Sequence, residues 1–470
     1  MSKILGISLG IGTDAFNLMR AYGIEADYIP SDTVREIVGF PTVYEKFAVK
    51  ERKVVKNGSV KEYFSKVQKY PKFWDRYVND TIFLAKPVRE DEKVCGSKSG
   101  PVDFDIYDTV AVTAIDDYYK PLESLLSYLK GVCKKPVVVG GQIVRDETVP
   151  LLEKIGVTLN NGSFMKFDEM LNNQEPLGRV IKDKSPLRIE SADILEKAKY
   201  AAVGTFDRKI REKNAVTYIT GKNCAHFKVL GMVGCGNGCD YCSCENSLSI
   251  SKDAWIDAIN RLSKKEDSAA LEIWDDNCFK HPKVYRDIFS QVYDKFEKVR
   301  INTYLDTENL FSVDGSESLL ESVVDSPKTE GVALFFGREC ADEAAAKVIG
   351  RRFNGVLRSQ DMLDREKEKM KEVIRTLEGK DYRYATIVSY VLGPGGSDAL
   401  ENIKKDALEI KKGMDREKVK IQIQPLNAYP GTDCHERFKG DLMSAFPGVS
   451  ISNIYSENMI EFEKAEPRVL

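Results

Sequence analysis

Histidine is almost missing from this chain: three in 470 residues, at His226, His281 and His435. Imidazole is the usual nitrogen donor to a metal at neutral pH, so residues 1–175, which contain none, have no histidine to offer. No second C-x-x-C pair accompanies the cysteines at Cys235–Cys244, and only His226 lies near them. The common two-pair and cysteine–histidine zinc patterns are therefore absent. No apolar run is long enough to span a bilayer, and Met1-Ser2-Lys3-Ile4-Leu5 runs into a strand-like segment without a signal-peptide layout. A net charge of −3 gives no global electrostatic case for nucleic acid. No third glycine completes a dinucleotide fingerprint after Gly10-Ile11-Gly12, so a tight turn is the better reading there than a phosphate cradle.

What is present describes a globular chain with ample core, 42% hydrophobic and 30% charged. Its length suits about two to four domains. Ten cysteines, four of them within Cys235–Cys244, suit a reducing compartment better than a disulfide framework. The expectation is a cytoplasmic protein without a membrane partner.

The first third reads as alternating strands and helices. Strands are expected over residues 3–10, 25–30, 108–115, 136–139 and 157–159, with helices reaching to Tyr22 and over 121–129, 149–155 and 165–171. Five strands with helices between them make an open flavodoxin-like sheet, which binds ligands beyond the carboxyl ends of its strands. Thr113, Gly140, Gly141 and Gly162 fall on that edge. Residues 31–102 interrupt the pattern with lysines and aromatics, as in Tyr70-Pro71-Lys72-Phe73-Trp74. Basic residues among aromatics can bind single-stranded nucleic acid, but acidic residues are mixed in and a helical insert is the preferred reading. Residues 176–226 read as a charged connector with a helix from Ala192, in which Cys224 and His226 are packing residues.

From 227 to 440 a second α/β unit is expected, with strands near 229–232, 271–274, 299–305, 332–340, 384–392 and 419–424, and a small appendage over 441–470. Directly after its first strand comes Gly234-Cys235-Gly236-Asn237-Gly238-Cys239-Asp240-Tyr241-Cys242. Three cysteines at C-x-x-x-C-x-x-C among glycines can converge on one small object. An iron–sulfur cluster is held in this way. A zinc knuckle completed by Cys244, or plain structural thiols, are the competing readings.

This loop, with Tyr241 just before its last cysteine, resembles the signature of the radical S-adenosylmethionine (SAM) superfamily. The resemblance implies a 4Fe-4S cluster on Cys235, Cys239 and Cys242, with one iron left open to chelate SAM and cleave it to a 5′-deoxyadenosyl radical. It implies a partial (β/α)6 barrel whose strand ends hold SAM. Asp275 would serve the amino group or ribose, or instead cap the next helix. Glu339, in a G-x-E ending with Cys340 where the family usually has serine, would hold the ribose, or instead pair with Arg338 or Arg351. Gly393, in the turn Gly393-Pro394-Gly395-Gly396, would approach the adenine, and Tyr241 and Gln424 complete the set. The closing Pro425–Thr432 turn resembles those of cobalamin-linked and methylthiotransferase-type domains.

The first third resembles the cobalamin-binding Rossmann domain that precedes many radical SAM domains. There a hydroxyl residue ends the third strand and a Gly-Gly pair ends the fourth, as Thr113 and Gly140-Gly141 do here. The family's frequent D-x-H-x-x-G motif is missing, which keeps an α/β domain without cofactor open. The whole is read as a cobalamin-dependent radical SAM enzyme, methylation being the first choice of reaction. It would act on a small molecule or peptide and draw electrons from a flavodoxin or ferredoxin. The alternatives are a cobalamin-independent rearrangement or oxidation and a non-catalytic iron–sulfur or cobalamin sensor. An RNA methylthiotransferase is a weaker match, because its N-terminal cluster would need three cysteines and the first domain has Cys95 and Cys133.

Overall fold

The computed structural model describes residues 3–9, 13–29, 104–114, 122, 125–126, 129–131, 133–141, 144, 149–153, 156–160, 187–211, 216–229, 235–242, 248–273, 277–392, 399–415, 418–426, 432–434 and 436–437. The expected insert at 31–102, the helix at 165–171, the appendage at 441–470, and Gly162, Cys244, Asp275 and Gly393 lie outside the described residues. The chain divides into two compact units, residues 1–185 with 427–465, and residues 186–426 with 466–470.

The first unit is built on five short strands, the inner ones apolar and largely buried. They are β1 (Ile4–Leu9), β2 (Ala26–Ile29), β3 (Thr109–Ala114), β4 (Val137–Gly140) and β5 (Thr158–Asn160). All pair in parallel, in the order β2-β1-β3-β4-β5. This is the doubly wound, flavodoxin-like order expected from the sequence. Leu122, Leu125, Leu126 and Leu129, at helical spacing, join Leu5, Val110, Val112 and Val139 in one core. Tyr107 closes one edge by donating its hydroxyl to Asp27 at 2.8 Å.

The second unit begins with β6 (Leu187–Ile189), a helix at Ala192–Lys197, and the long strands β7 (Ala201–Arg211) and β8 (Val216–Val229). This corrects the sequence reading. The expected connector is a strand pair, antiparallel from Ala201 opposite Phe227 to Arg211 opposite Val216. The first parallel strand thus ends at Val229 rather than starting there. The charged residues of β7 and β8 hide the strand pattern; β7 is the edge strand of its sheet, where charge is tolerated.

The remaining strands are β9 (Leu248–Ile250), β10 (Ser268–Ile273), β11 (Lys298–Leu305), β12 (Thr329–Glu339), the short hairpin β13 (Arg352–Phe353) and β14 (Val356–Leu357), β15 (Arg383–Leu392) and β16 (Val419–Pro425). One sheet runs β16-β15-β12-β11-β10-β8-β7, with every pair but β7–β8 parallel. β8, β10, β11, β12, β15 and β16 are therefore neighbours in chain order, the succession expected of six β/α repeats, and their carboxyl ends share one edge.

Helices fill the crossovers at Lys252–Leu262, Pro282–Lys295, Ser316–Val324, Glu343–Ile349, Gln360–Glu378 and Ala399–Lys411. Their starts are written in the sequence. Ser251, Asp342 and Ser359 accept from the backbone N–H groups of Ala254, Ala345 and Met362, which satisfies donors a helix start would otherwise strand. Under the helices Phe227 meets Trp255 and Phe296 edge-on, with ring centroids 6.4 and 6.0 Å apart. Arg338 is wholly buried on the same side, donating to Asp406 at 3.0 Å and to the Leu363 carbonyl at 2.6 Å. Among the described residues no helix is long and apolar enough to cross a membrane.

Candidate functional site

Because the strands of the large sheet are parallel, whatever follows β8, β10, β11 and β12 emerges on one edge. The cysteine loop follows β8, Asn277 follows β10, Asp306 follows β11, and Glu339 ends β12. The loop turns through Gly236 and Gly238 at φ of 60° and 70°, where a side chain would strain the backbone. Cys235 and Cys239 are half-buried and Cys242 is exposed. Among the described residues no three His, Cys, Asp or Glu side chains are gathered as a metal-holding group.

The loop is instead organised by donors aimed at its sulfurs and by a clamp from residues 350–358. Cys239 Sγ receives the backbone N–H of Arg352 at 3.3 Å and the Arg351 guanidinium at 3.7 Å. Cys235 Sγ lies 3.9 Å from the Asn277 amide nitrogen. Lys280 donates to the Cys235 carbonyl at 2.8 Å and to the Asn237 side-chain oxygen at 3.0 Å. Asp240 N–H donates to the Gly350 carbonyl, and Gly355 N–H to the Asn237 carbonyl, both at 2.9 Å. Arg352 Nε adds a charged bond to Asp240 at 2.7 Å. Burial lowers the pKa of Lys280, a tendency that Cys235, Asp306 and Cys239 oppose.

Three carboxylates shape the rest. Asp306, buried, accepts from Arg358 at 2.6 Å and from Asn237 at 3.0 Å, and stands 3.6 Å from Arg351. Burial raises its pKa, but the two guanidinium groups outweigh this and hold it below the usual carboxylate range. Arg358 also pairs with Glu366. Glu339 has φ of 62°, and Cys340 N–H closes onto the Arg338 carbonyl at 2.7 Å. That is a γ-turn of the strained hand. The ladder with β15 shifts register between Gly337 and Glu339, and such a bulge re-aims a side chain. The Glu339 carboxyl lies against Gly337, where a Cβ would come 3.1 Å from Oε1. Burial pushes the Glu339 pKa up, opposed by Arg351 and by a hydrogen bond from Tyr241. Burial, reinforced by Glu339, holds the Tyr241 hydroxyl protonated far above its usual range.

The structure thus brings Tyr241, Glu339 and the cysteine loop together, with Arg351 joining them. Its guanidinium reaches Tyr241 at 3.3 Å and the Gly337 carbonyl at 2.7 Å. Gln424 lies in β16 opposite Val391. The sheet face opposite the helices carries His226, with Nε2 3.5 Å from Glu272 Oε2, above a buried layer of Cys224, Ala270, Ala333 and Ala385. Asp306, Lys280, Arg358 and the β13–β14 clamp were missed from the sequence, and Arg351 was considered there as a partner of Glu339 alone.

In the first unit Thr113 pairs with Gly140 in the β3–β4 ladder. Gly141 follows at φ of 95°, and a Cβ on it would meet the Ala114 carbonyl at 2.4 Å and Thr113 Oγ1 at 2.9 Å. The three residues therefore meet at the carboxyl edge, as expected.

No family model and no curated relative matches the chain. Among solved structures it is similar to the apo, selenomethionine-labelled form of the cobalamin-dependent S-adenosylmethionine radical enzyme OxsB. The TM-score is 0.48 at 10% identity, covering 99% of this chain and 57% of that one. This chain therefore spans little more than half the length of that protein.

Proposed function

We propose that the chain is a radical SAM enzyme whose cluster is carried by Cys235, Cys239 and Cys242. The observation that supports this is the cysteine loop. Its thiols sit at C-x-x-x-C-x-x-C on left-handed glycines, at the carboxyl edge of a parallel sheet, with N–H donors directed at Cys239 Sγ. Thiolate sulfurs that carry a cluster accept such bonds, so the donor set fits the group. When bound, a four-iron cluster with three cysteine ligands offers an open iron to SAM and supplies the electron that cleaves it to a 5′-deoxyadenosyl radical.

The chain's own residues hold and shield that chemistry. The clamp at 350–358 fixes the loop backbone, and Lys280 and Asn277 hold the Cys235 side. Glu339 presents a carboxyl beside Tyr241, suited to accept ribose hydroxyls, with Asp275, Gly393 and Gln424 as further SAM-binding residues on the family resemblance. In the first unit, bare backbone at Gly140-Gly141 beside the Thr113 hydroxyl fits the tail of a cobalamin. A methylated cobalamin would supply the methyl group, so methylation of an unactivated carbon is the reaction proposed. The substrate class is a small molecule or peptide, the electron donor a flavodoxin or ferredoxin, and the location cytoplasmic.

The test is anaerobic reconstitution with iron and sulfide, followed by incubation with SAM and a strong reductant. Formation of 5′-deoxyadenosine is expected. Its absence, with an intact cluster and SAM bound, would favour a sensor. Turnover without cobalamin would leave a rearrangement or oxidation.

A further inference from the structure

The sulfurs of the loop are not equivalent. Cys242 is exposed, and Cys235 faces a neutral amide at 3.9 Å. Cys239 faces a guanidinium, that of Arg351. Arg351 is buried, with 7% of its surface exposed. Two of its nitrogens are committed, Nη1 to Cys239 Sγ and Tyr241, Nη2 to the Gly337 carbonyl at 2.7 Å. Its Nε is buried without a hydrogen-bond partner. The guanidinium is thus pinned from the β12 side and directed at the cysteine loop.

Two buried carboxylates face its charge, Glu339 and Asp306. Asp306 stands 3.6 Å away and is held more closely by Arg358 at 2.6 Å and Asn237 at 3.0 Å. The neighbouring Arg352 differs. Its side chain is spent on Asp240 at 2.7 Å and the Gly355 carbonyl at 2.9 Å, and only its backbone N–H reaches the sulfur.

We propose that Arg351 sets the reduction potential of the cluster held by Cys235, Cys239 and Cys242, by donating to Cys239 Sγ as a buried cation; this rests on the cluster reading above. One-electron reduction, from a flavodoxin, ferredoxin or chemical reductant, adds one negative charge to the cluster and its thiolates. A fixed cation beside one thiolate stabilises the reduced form more than the oxidised form. Burial strengthens the effect because little water screens it, and hydrogen bonds to the sulfurs act in the same direction. Arg351 is therefore a positioning residue that raises the potential toward the reach of the electron donor. The same guanidinium fixes Tyr241, so loop geometry and potential are set together.

The experiment is an EPR-monitored redox titration of the reconstituted full-length chain and its variants. Arg351→Met is expected to move the midpoint to a more negative potential, Arg351→Lys to fall between it and the parent, and Arg352→Met to shift less than Arg351→Met. Asp306→Asn removes the opposing carboxylate charge while keeping the side-chain shape, and is expected to shift the midpoint positively. A fully loaded Arg351→Met with the parent midpoint overturns the proposal, as does a shift equal to that of Arg352→Met. If Arg351→Met fails to take up iron, Arg351→Lys and Asp306→Asn decide. Unchanged midpoints in both, or a negative shift in Asp306→Asn, overturn it. A parent chain that binds no iron and sulfide defeats the cluster reading itself; a parent that cleaves SAM, with variants unshifted, defeats only the role of Arg351.

Discussion

Asp240 fills the space directly over Gly350: a Cβ on that glycine would fall 2.1 Å from Asp240 Cγ. Gly350 has φ of 68° and ends the helix Glu343–Ile349, while its carbonyl accepts the Asp240 N–H at 2.9 Å. One glycine therefore closes a helix, opens the β13–β14 clamp and seats the cysteine loop. Gly350→Ala meets both a left-handed backbone and an occupied site. It should cost about 2 kcal/mol or more, lowering the melting temperature. Amide exchange at Asp240 should accelerate more than exchange in the β10–β11 ladder. Equal protection at Asp240 in both proteins would show that the clamp does not hold the loop.

The cysteine assignment separates ligands from bystanders. Replacing Cys235, Cys239 and Cys242 together by alanine should abolish iron and sulfide binding on reconstitution, while Cys244→Ala should keep the full complement. Cys278 and Cys340 are also buried thiols in this unit, but burial raises the pKa of Cys340 to about 11 and leaves it a poor ligand. Cys340→Ser should therefore load normally. Loss of iron in Cys244→Ala would make Cys244 a fourth ligand, leaving no iron open to SAM.

How far the sequence foretells this site depends on the kind of signal. The strands of both units announce themselves by apolar runs ending in glycine or acidic turns, and Thr113 with Gly140, or Cys235 with Glu339, could be placed on strand ends by counting. The partners of Asp306 and Arg351 could not. Asp306 precedes Thr307-Glu308-Asn309 and does accept the Glu308 N–H at 3.2 Å, but it also takes Asn237 and Arg358 as partners. In the sequence Arg351 reads as a partner of Glu339, whereas it and Arg352 reach Cys239 and Asp240 across more than a hundred residues. Such pairings follow from which strand ends share an edge, and that is a property of the folded sheet. The β7–β8 ladder escaped notice for a different reason: its alternation is interrupted by Asp207, Arg208, Lys209, Lys222 and Lys228.

Glu339 should show a trade of stability for function. Its pKa is raised in the folded state, chiefly by burial. The folded chain then holds the proton more tightly than the unfolded one, so this residue's contribution to stability is fully present below the ordinary value of about 4.3 and is lost as pH rises through the raised folded value. Glu339→Gln cannot ionise and keeps most of the shape. Relative to the parent it should melt higher at pH 7 and equally near pH 4, while binding SAM more weakly. A variant less stable at pH 7 than at pH 4, relative to the parent, would show that the carboxylate is stabilised by Arg351 rather than penalised by burial.

The cobalamin reading depends on Gly140 and Gly141, and the structure shows that they are not interchangeable as probes. Any side chain at Gly141 collides with the Ala114 carbonyl at 2.4 Å, at a φ of 95°, so its replacement strains the first unit whether or not a ligand binds. Gly140 is an ordinary member of the β4 ladder, paired with Thr113 and Asn160, and Gly140→Val places a β-branched side chain where strands accept one. After anaerobic reconstitution with hydroxocobalamin and gel filtration, the parent should retain cobalt in a ratio of about one per chain, in keeping with a single site at one strand edge. Gly140→Val should lose the cobalt while keeping its iron and its melting temperature. With no histidine in residues 1–175, the retained cobalamin should show no imidazole ligand drawn from that segment. Failure of the parent to retain cobalt would leave a cobalamin-independent radical enzyme. Retention by Gly140→Val would move the pocket away from the Thr113–Gly140 edge even though the cofactor binds.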